Sequence, residues 1–149
     1  MKTFKRLFAL TLSLAMVLSF STSLASAVSD PSITLVPYSN DRTQLRAASN
    51  TFDISDKGMA SMTASTLGFS NSTEVTVAMY LERQQNGKWT TVSGMSWSDS
   101  ASDDFNIDLS KTRAVVSGYH YRLRSEHSAT GPNGTEYDTV YSVTLYYGK

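Results

Sequence analysis

The sequence predicts an all-β protein, an antiparallel two-sheet sandwich of about seven strands. Three observations carry that prediction. Apolar and polar residues alternate with period two through most of the chain after residue 50, the pattern of strands with one buried and one wet face. Turn-forming residues recur every ~8–12 positions between those runs. No segment shows the three-and-four spacing of an amphipathic helix. The 149 residues include no Cys, so disulfides are excluded and packing alone must hold the core.

Residues 1–27 read as an export signal. Lys2, Lys5 and Arg6 form a basic start, and Leu7–Phe20 is an apolar run of 14 residues, short for a membrane span. Ala25-Ser26-Ala27 is a small-residue cleavage site. With the three N-terminal cations removed, 10 basic residues face 13 acidic ones and the net charge is −3, which argues against a nucleic-acid partner. Lipid anchoring is excluded with Cys. The chain closes on Tyr146-Tyr147-Gly148-Lys149 without a sorting sequence, so a secreted, extracellular protein, free or wall-associated, is expected. Residues 28–49 read as a flexible leader, because Pro31 and Pro37 flank the short apolar run Ile33–Val36.

One domain is expected over residues 50–149. Thr51–Ser55 places Phe52 and Ile54 on one face, and Asp56-Lys57-Gly58 turns the chain. Met59–Leu67 sends Ala60, Met62 and Ala64 inward. Glu74–Arg83 is the clearest alternation, with Val75, Val77, Met79 and Leu81 inward. Asn86-Gly87 is a two-residue hairpin signal, since both residues tolerate positive φ. Lys88–Val92 and Met95–Ser98 follow, with a bulge or kink at Gly94. Asp99–Asp104 reads as a polar loop, Phe105–Leu109 as a short strand and Ser110–Arg113 as a turn. Gly131–Gly134 is a loop before a closing strand, Glu136–Tyr147.

The central strand is read in Val115–Ser125, VVSGYHYRLRS. Tyr119, Tyr121, Leu123 and Ser125 share the inner side; His120, Arg122, Arg124 and Glu126 share the outer. Gly118 turns the chain into it. Tyr121 then matches the tyrosine corner of immunoglobulin- and fibronectin-like sandwiches, a buried ring whose hydroxyl returns to the main chain. The plainer reading is that both Tyr are large β-formers.

The pieces Gln85-Asn86-Gly87-Lys88-Trp89, Ser96-Trp97-Ser98 and Gly118–Arg124, set in this strand order, resemble small secreted single-domain β-sandwich proteins of Gram-positive Firmicutes. The likeness runs from Asn50 to Tyr147. It implies the fold and an exported address, and no activity.

Catalytic sets are poor. His120 and His127, seven apart, face opposite sides of one strand and cannot share a metal; both read as surface residues. No zinc-protease, nucleophile-elbow or phosphate-loop motif occurs. Asp99–Asp104 is oxygen-rich but lacks calcium-loop spacing and reads as solvated. No cofactor and no metal are expected, and the protein is read as non-enzymatic and monomeric. The face that merits attention combines Tyr80, Glu82, His120, Arg122, Arg124, Ser142, Thr144 and Tyr146, outward residues of strands placed side by side. Arg and Tyr are the types enriched at binding hot spots. Tyr80, His120, Arg122, Arg124 and Tyr146 are the candidate binding residues, with a solvated sheet face as the plain alternative. The partner is an extracellular protein or glycan. In the carbohydrate version Trp89, Trp97, Tyr80 and Tyr146 supply stacking rings.

Overall fold

The computed structural model describes residues 32–36, 39 and 41–148; the signal expected over 1–27 lies outside them, as do residues 28–31, Pro37, Tyr38, Asn40 and Lys149. Nine strands are present among the described residues: β1 (Ser32–Val36), β2 (Leu45–Ile54), β3 (Met59–Gly68), β4 (Glu74–Gln85), β5 (Lys88–Ser102), β6 (Asn106–Ala114), β7 (Tyr119–Gly131), β8 (Gly134–Tyr141) and β9 (Leu145–Tyr147). They form two antiparallel sheets. One has the order β1-β2-β3-β6; the other has β5-β4-β7-β8, with β9 also paired to β7. Among the described residues no helix is long and apolar enough to cross a membrane.

Alternation decides the core. Phe52, Met62, Val75, Val77, Met79, Leu81, Tyr121 and Leu123 meet between the sheets, on the sides the sequence assigned them, and Leu109 joins them. Truncating such a side chain costs about 2–5 kcal/mol, through lost burial and the cavity left behind. β4 and β7 sit centrally in the second sheet and pair from Glu74↔Thr130 to Arg83↔Tyr121. The Tyr121 hydroxyl donates to the Val116 carbonyl at 2.8 Å, closing the corner ahead of β7. At the β4–β5 hairpin Asn86 and Gly87 have φ of 50° and 76°, as a type I′ turn requires.

Several boundaries differ from expectation. The leader over 28–49 is in part sheet: Ile33–Val36 belongs to edge strand β1, and β2 begins at Leu45, with Leu45 and Ala48 buried. Two carboxylates explain the early start. Glu136 on β8 accepts from the backbone N–H groups of Thr43 and Leu45, each at 2.8 Å, and Asp138 pairs with Arg42 at 2.8 Å. Burial pushes the Glu136 carboxyl up, but the backbone donors of Thr43, Leu45 and Gln44 outweigh it and hold it below the usual range. The two runs expected on either side of Gly94 are one strand, β5, in which Val92–Met95 bulges opposite Leu81. Asp99–Ser102, expected as loop, completes β5, and Ser110–Arg113, expected as a turn, continues β6. Phe105, expected to open the short strand, lies ahead of β6 and is half exposed.

Candidate functional site

The outer face of the five-stranded sheet gathers the expected site residues. Register sets Tyr80 beside Arg124 and Glu82 beside Arg122. Glu82 divides its carboxylate between the two arginines: Oε2 accepts from Arg122 Nε at 2.7 Å and Oε1 from Arg124 Nε at 2.9 Å. Arg124 also pairs with Glu126, which accepts from the Tyr80 hydroxyl at 3.2 Å. Burial and the Glu126 carboxylate both raise the Tyr80 phenol above its ordinary value.

Rings enclose these guanidinium groups. Arg122 lies between Trp89 and Tyr141, its Cζ 4.4 Å from each ring centre, and Arg124 lies 4.0 Å over Tyr80. Each such contact contributes about 0.5–2 kcal/mol, more as water is excluded. The two cations therefore meet two carboxylates and three rings, and the cluster is neutral. Its members hold one another; Glu82 is only 7% exposed.

Tyr80, Arg122 and Arg124 thus share one ladder. His120 and Tyr146 pair further along β7, with ring centres 4.9 Å apart. Ser142 is not on the face. It is buried, accepts from the Leu123 N–H at 2.8 Å and donates to the Leu123 carbonyl through its own N–H at 2.9 Å. Its hydroxyl stands in for a strand carbonyl, and the closing strand breaks there into β8 and β9. The break explains two residues the sequence reading missed. On β7 Arg124 and His120 are four apart, while their partners Tyr141 and Tyr146 are five apart. One extra residue flips the alternation. In β8 the odd positions Tyr137, Thr139 and Tyr141 point out; in β9 the even one, Tyr146, does. Carrying one parity through Glu136–Tyr147 put Ser142 outside and overlooked Tyr137 and Tyr141.

The two Trp separate. Trp89 is on the outer face. Trp97 pairs with Met79, packs against the core and has Arg113 5.5 Å over its ring.

His127, expected at the surface, lies between the sheets at 2% exposure. Its Nδ1 meets Thr66 Oγ1 and its Nε2 meets Ser125 Oγ, each at 2.8 Å. The directions follow by elimination. Thr66 donates to the Thr76 carbonyl, so it accepts from Nδ1–H; Asn50 donates to Ser125, whose hydroxyl then donates to Nε2. A neutral imidazole satisfies the chain. Burial lowers the His127 pKa to about 4, against a weaker upward pull from Asp138. A serine hydroxyl 2.8 Å from an imidazole has the geometry of a nucleophile and its base. Ser125 and His127 are both buried, so this pair orders the core.

Among the described residues no three or more His, Asp or Glu side chains gather as a metal group, the Asp99–Asp104 stretch included. An open cleft of about 640 Å³ lies where β3 ends and β6 begins, lined by Arg46, Ala47, Gly68, Phe69, Ser70 and Phe105. Its lining offers one charged side chain and no acid–base pair. No known protein family, curated protein or solved structure matches the chain.

Proposed function

We propose that this protein is a secreted, non-enzymatic binding module that holds an extracellular protein or glycan on the outer face of its five-stranded sheet. The observation that carries the reading is the gathering of Arg122, Arg124, Tyr80, Tyr141 and Trp89 on that face, braced through Glu82. Rings and guanidinium groups fixed in place lose little freedom when a partner arrives, which favours binding. The Ser125–His127 pair is sealed inside, which supports a binding role over hydrolysis. Export is supported by the N-terminal basic and apolar segments and by Ala25-Ser26-Ala27; the mature protein recovered from culture medium should begin at Val28.

A chain without Cys permits a clean test. Thr139→Cys places a thiol on the outer face of β8, and Ser61→Cys places one on the opposite outer face, on β3; both positions are exposed. Each is labelled with a bulky polyethylene-glycol maleimide. Retention on isolated cell walls or on the exported proteins of the same culture should vanish with the Thr139 label and survive the Ser61 label. Equal retention with both labels would overturn the assignment of the face.

A further inference from the structure

We infer that the ligand is an extended, uncharged polysaccharide lying along β8 and β9, gripped by Tyr137, Tyr141 and Tyr146; this rests on the binding face proposed above. Register places these rings in a row. Tyr137 is opposite Ser128, Tyr141 opposite Arg124 and Tyr146 opposite His120. The three β7 positions are four residues apart, so successive rungs are ~13 Å apart and the row spans ~27 Å at antiparallel strand rise. The bulge at Ser142 is what makes the spacing even. Were the register of β8 carried on without the bulge, Leu145 and not a tyrosine would lie opposite His120.

The rings remain available. Tyr137 is 74% exposed, Tyr146 61% and Tyr141 46%, although Arg122 backs one side of Tyr141. The exposed Thr139 places a hydroxyl between Tyr137 and Tyr141 on the same face, and the exposed Thr144 lies between Tyr141 and Tyr146 along the chain. Charge is absent from the row. Glu136 and Asp138 turn away, holding Thr43, Leu45 and Arg42, and Arg122 and Arg124 are neutralised by Glu82 and Glu126.

Rings and hydroxyls without free charge define the chemistry sought. A pyranose has a C–H face that lies on an aromatic ring and hydroxyls at its rim that exchange hydrogen bonds with Thr. Every sugar of a polymer repeats that face at short intervals along the chain, so each of the three rings has a sugar within reach. An anionic or cationic polymer finds no counter-charge here. A polyproline helix also favours aromatic rings, but it docks in grooves between them, whereas these three tyrosines stand in a single row.

The purified protein is to be tested for retention on insoluble cellulose and chitin, and for retardation in gels containing mixed-linkage β-glucan, xylan or glucomannan. A proline-rich peptide serves as the competing probe. At least one neutral polymer should bind, with affinity unchanged in about 0.5 M salt, where exposed charge pairs are screened. Tyr137→Ala and Tyr146→Ala, both at exposed positions, should each weaken binding about tenfold, equivalent to about 1.4 kcal/mol, with unchanged melting temperature. Binding by none of these polymers, binding indifferent to both substitutions, or binding only to the proline-rich peptide would overturn the inference. The two readings fail separately. If the Thr139 label still abolishes retention on cell walls or exported proteins while no polymer binds, the face stands and the glycan falls. If the label changes nothing, the face itself is wrong.

Discussion

The two outer faces of the sandwich obey the same alternation and carry different chemistry. On the four-stranded sheet the outward residues of β2, β3 and β6 are mostly small and polar, among them Thr51, Ser61, Thr63, Ser65, Asp108 and Ser110, with cross-strand bonds such as Thr63 to Ser110 at 2.9 Å, while edge strand β1 adds the exposed Ile33 and Leu35 opposite Thr51 and Ser49. On the five-stranded sheet one end of the face, with Tyr80, Arg122 and Arg124, is long or aromatic and interlocks around Glu82, while Thr76 and Ser128 further along bond through short hydroxyls at 2.7 Å. Period two makes both faces wet and says nothing more. Side-chain length decides the rest. Short hydroxyls reach only the adjacent strand, whereas Arg and Tyr reach across two rungs and cover one another. A face that braces itself has given up side-chain freedom before any partner arrives, which is the ground for proposing the second sheet as the binding side.

Removing matched carboxylates breaks the comparison most directly. Glu82→Ala leaves Arg122 and Arg124 half-buried without their shared acceptor and should destabilise by about 3 kcal/mol. Asp108→Ala, on the other face, should change stability by no more than about 0.5 kcal/mol. Urea denaturation of both variants checks the difference; equal losses would mean that Glu82 braces nothing.

Acid sharpens the contrast between face and interior at a similar magnitude. His127 has a folded pKa of about 4, below its unfolded value of 6.5. Between those values the unfolded chain takes up a proton that the folded chain refuses, so stability falls as pH drops from 6.5 towards 4 and levels off below. The contribution is about 3 kcal/mol at about 1.4 kcal/mol per pH unit. Above pH 6.5 both states are neutral and the contribution is flat. Chemical denaturation from pH 7 to pH 4 should show the loss, and His127→Gln should remove most of that slope while lowering stability at neutral pH.

A smaller loss than at Glu82 or His127 belongs to the corner. Tyr121→Phe deletes the bond to Val116 and keeps the ring, so the loss should be about 1 kcal/mol. A loss of several kcal/mol would mean the ring itself had shifted, and with it the start of β7 that carries His120 and Arg122.

Much of this was legible in the sequence. Phe52, Met62, Val77 and Leu123 declared their side by alternation, and Asn86-Gly87 and Tyr121 declared local geometry through their own backbone and side-chain demands. The misreadings arose where a distant residue overrides local pattern. β2 starts early because Glu136, 91 residues away, binds the Leu45 N–H. The face of Tyr141 depends on the bulge at Ser142, which one parity carried through the strand conceals. His127 follows the inner parity of Tyr121 and Leu123, yet as an ionisable residue it read as exposed; its partners Thr66 and Ser125 come from facing sheets. Of the candidate site, Tyr80, Arg122 and Arg124 were found together, while Glu82 as their clamp and Tyr137 and Tyr141 as neighbours required the register.

Amide chemical-shift mapping tests the central claim most directly. The isotope-labelled protein is titrated with solubilised fragments of the polymer or wall preparation that retains it. Shifts should concentrate on β7, β8 and β9, around Tyr137, Tyr141 and Tyr146, and leave β2, β3 and β6 unmoved. Shifts centred on the Thr51–Ser61–Asp108 face, or on the cleft beside Arg46 and Phe105, would contradict it.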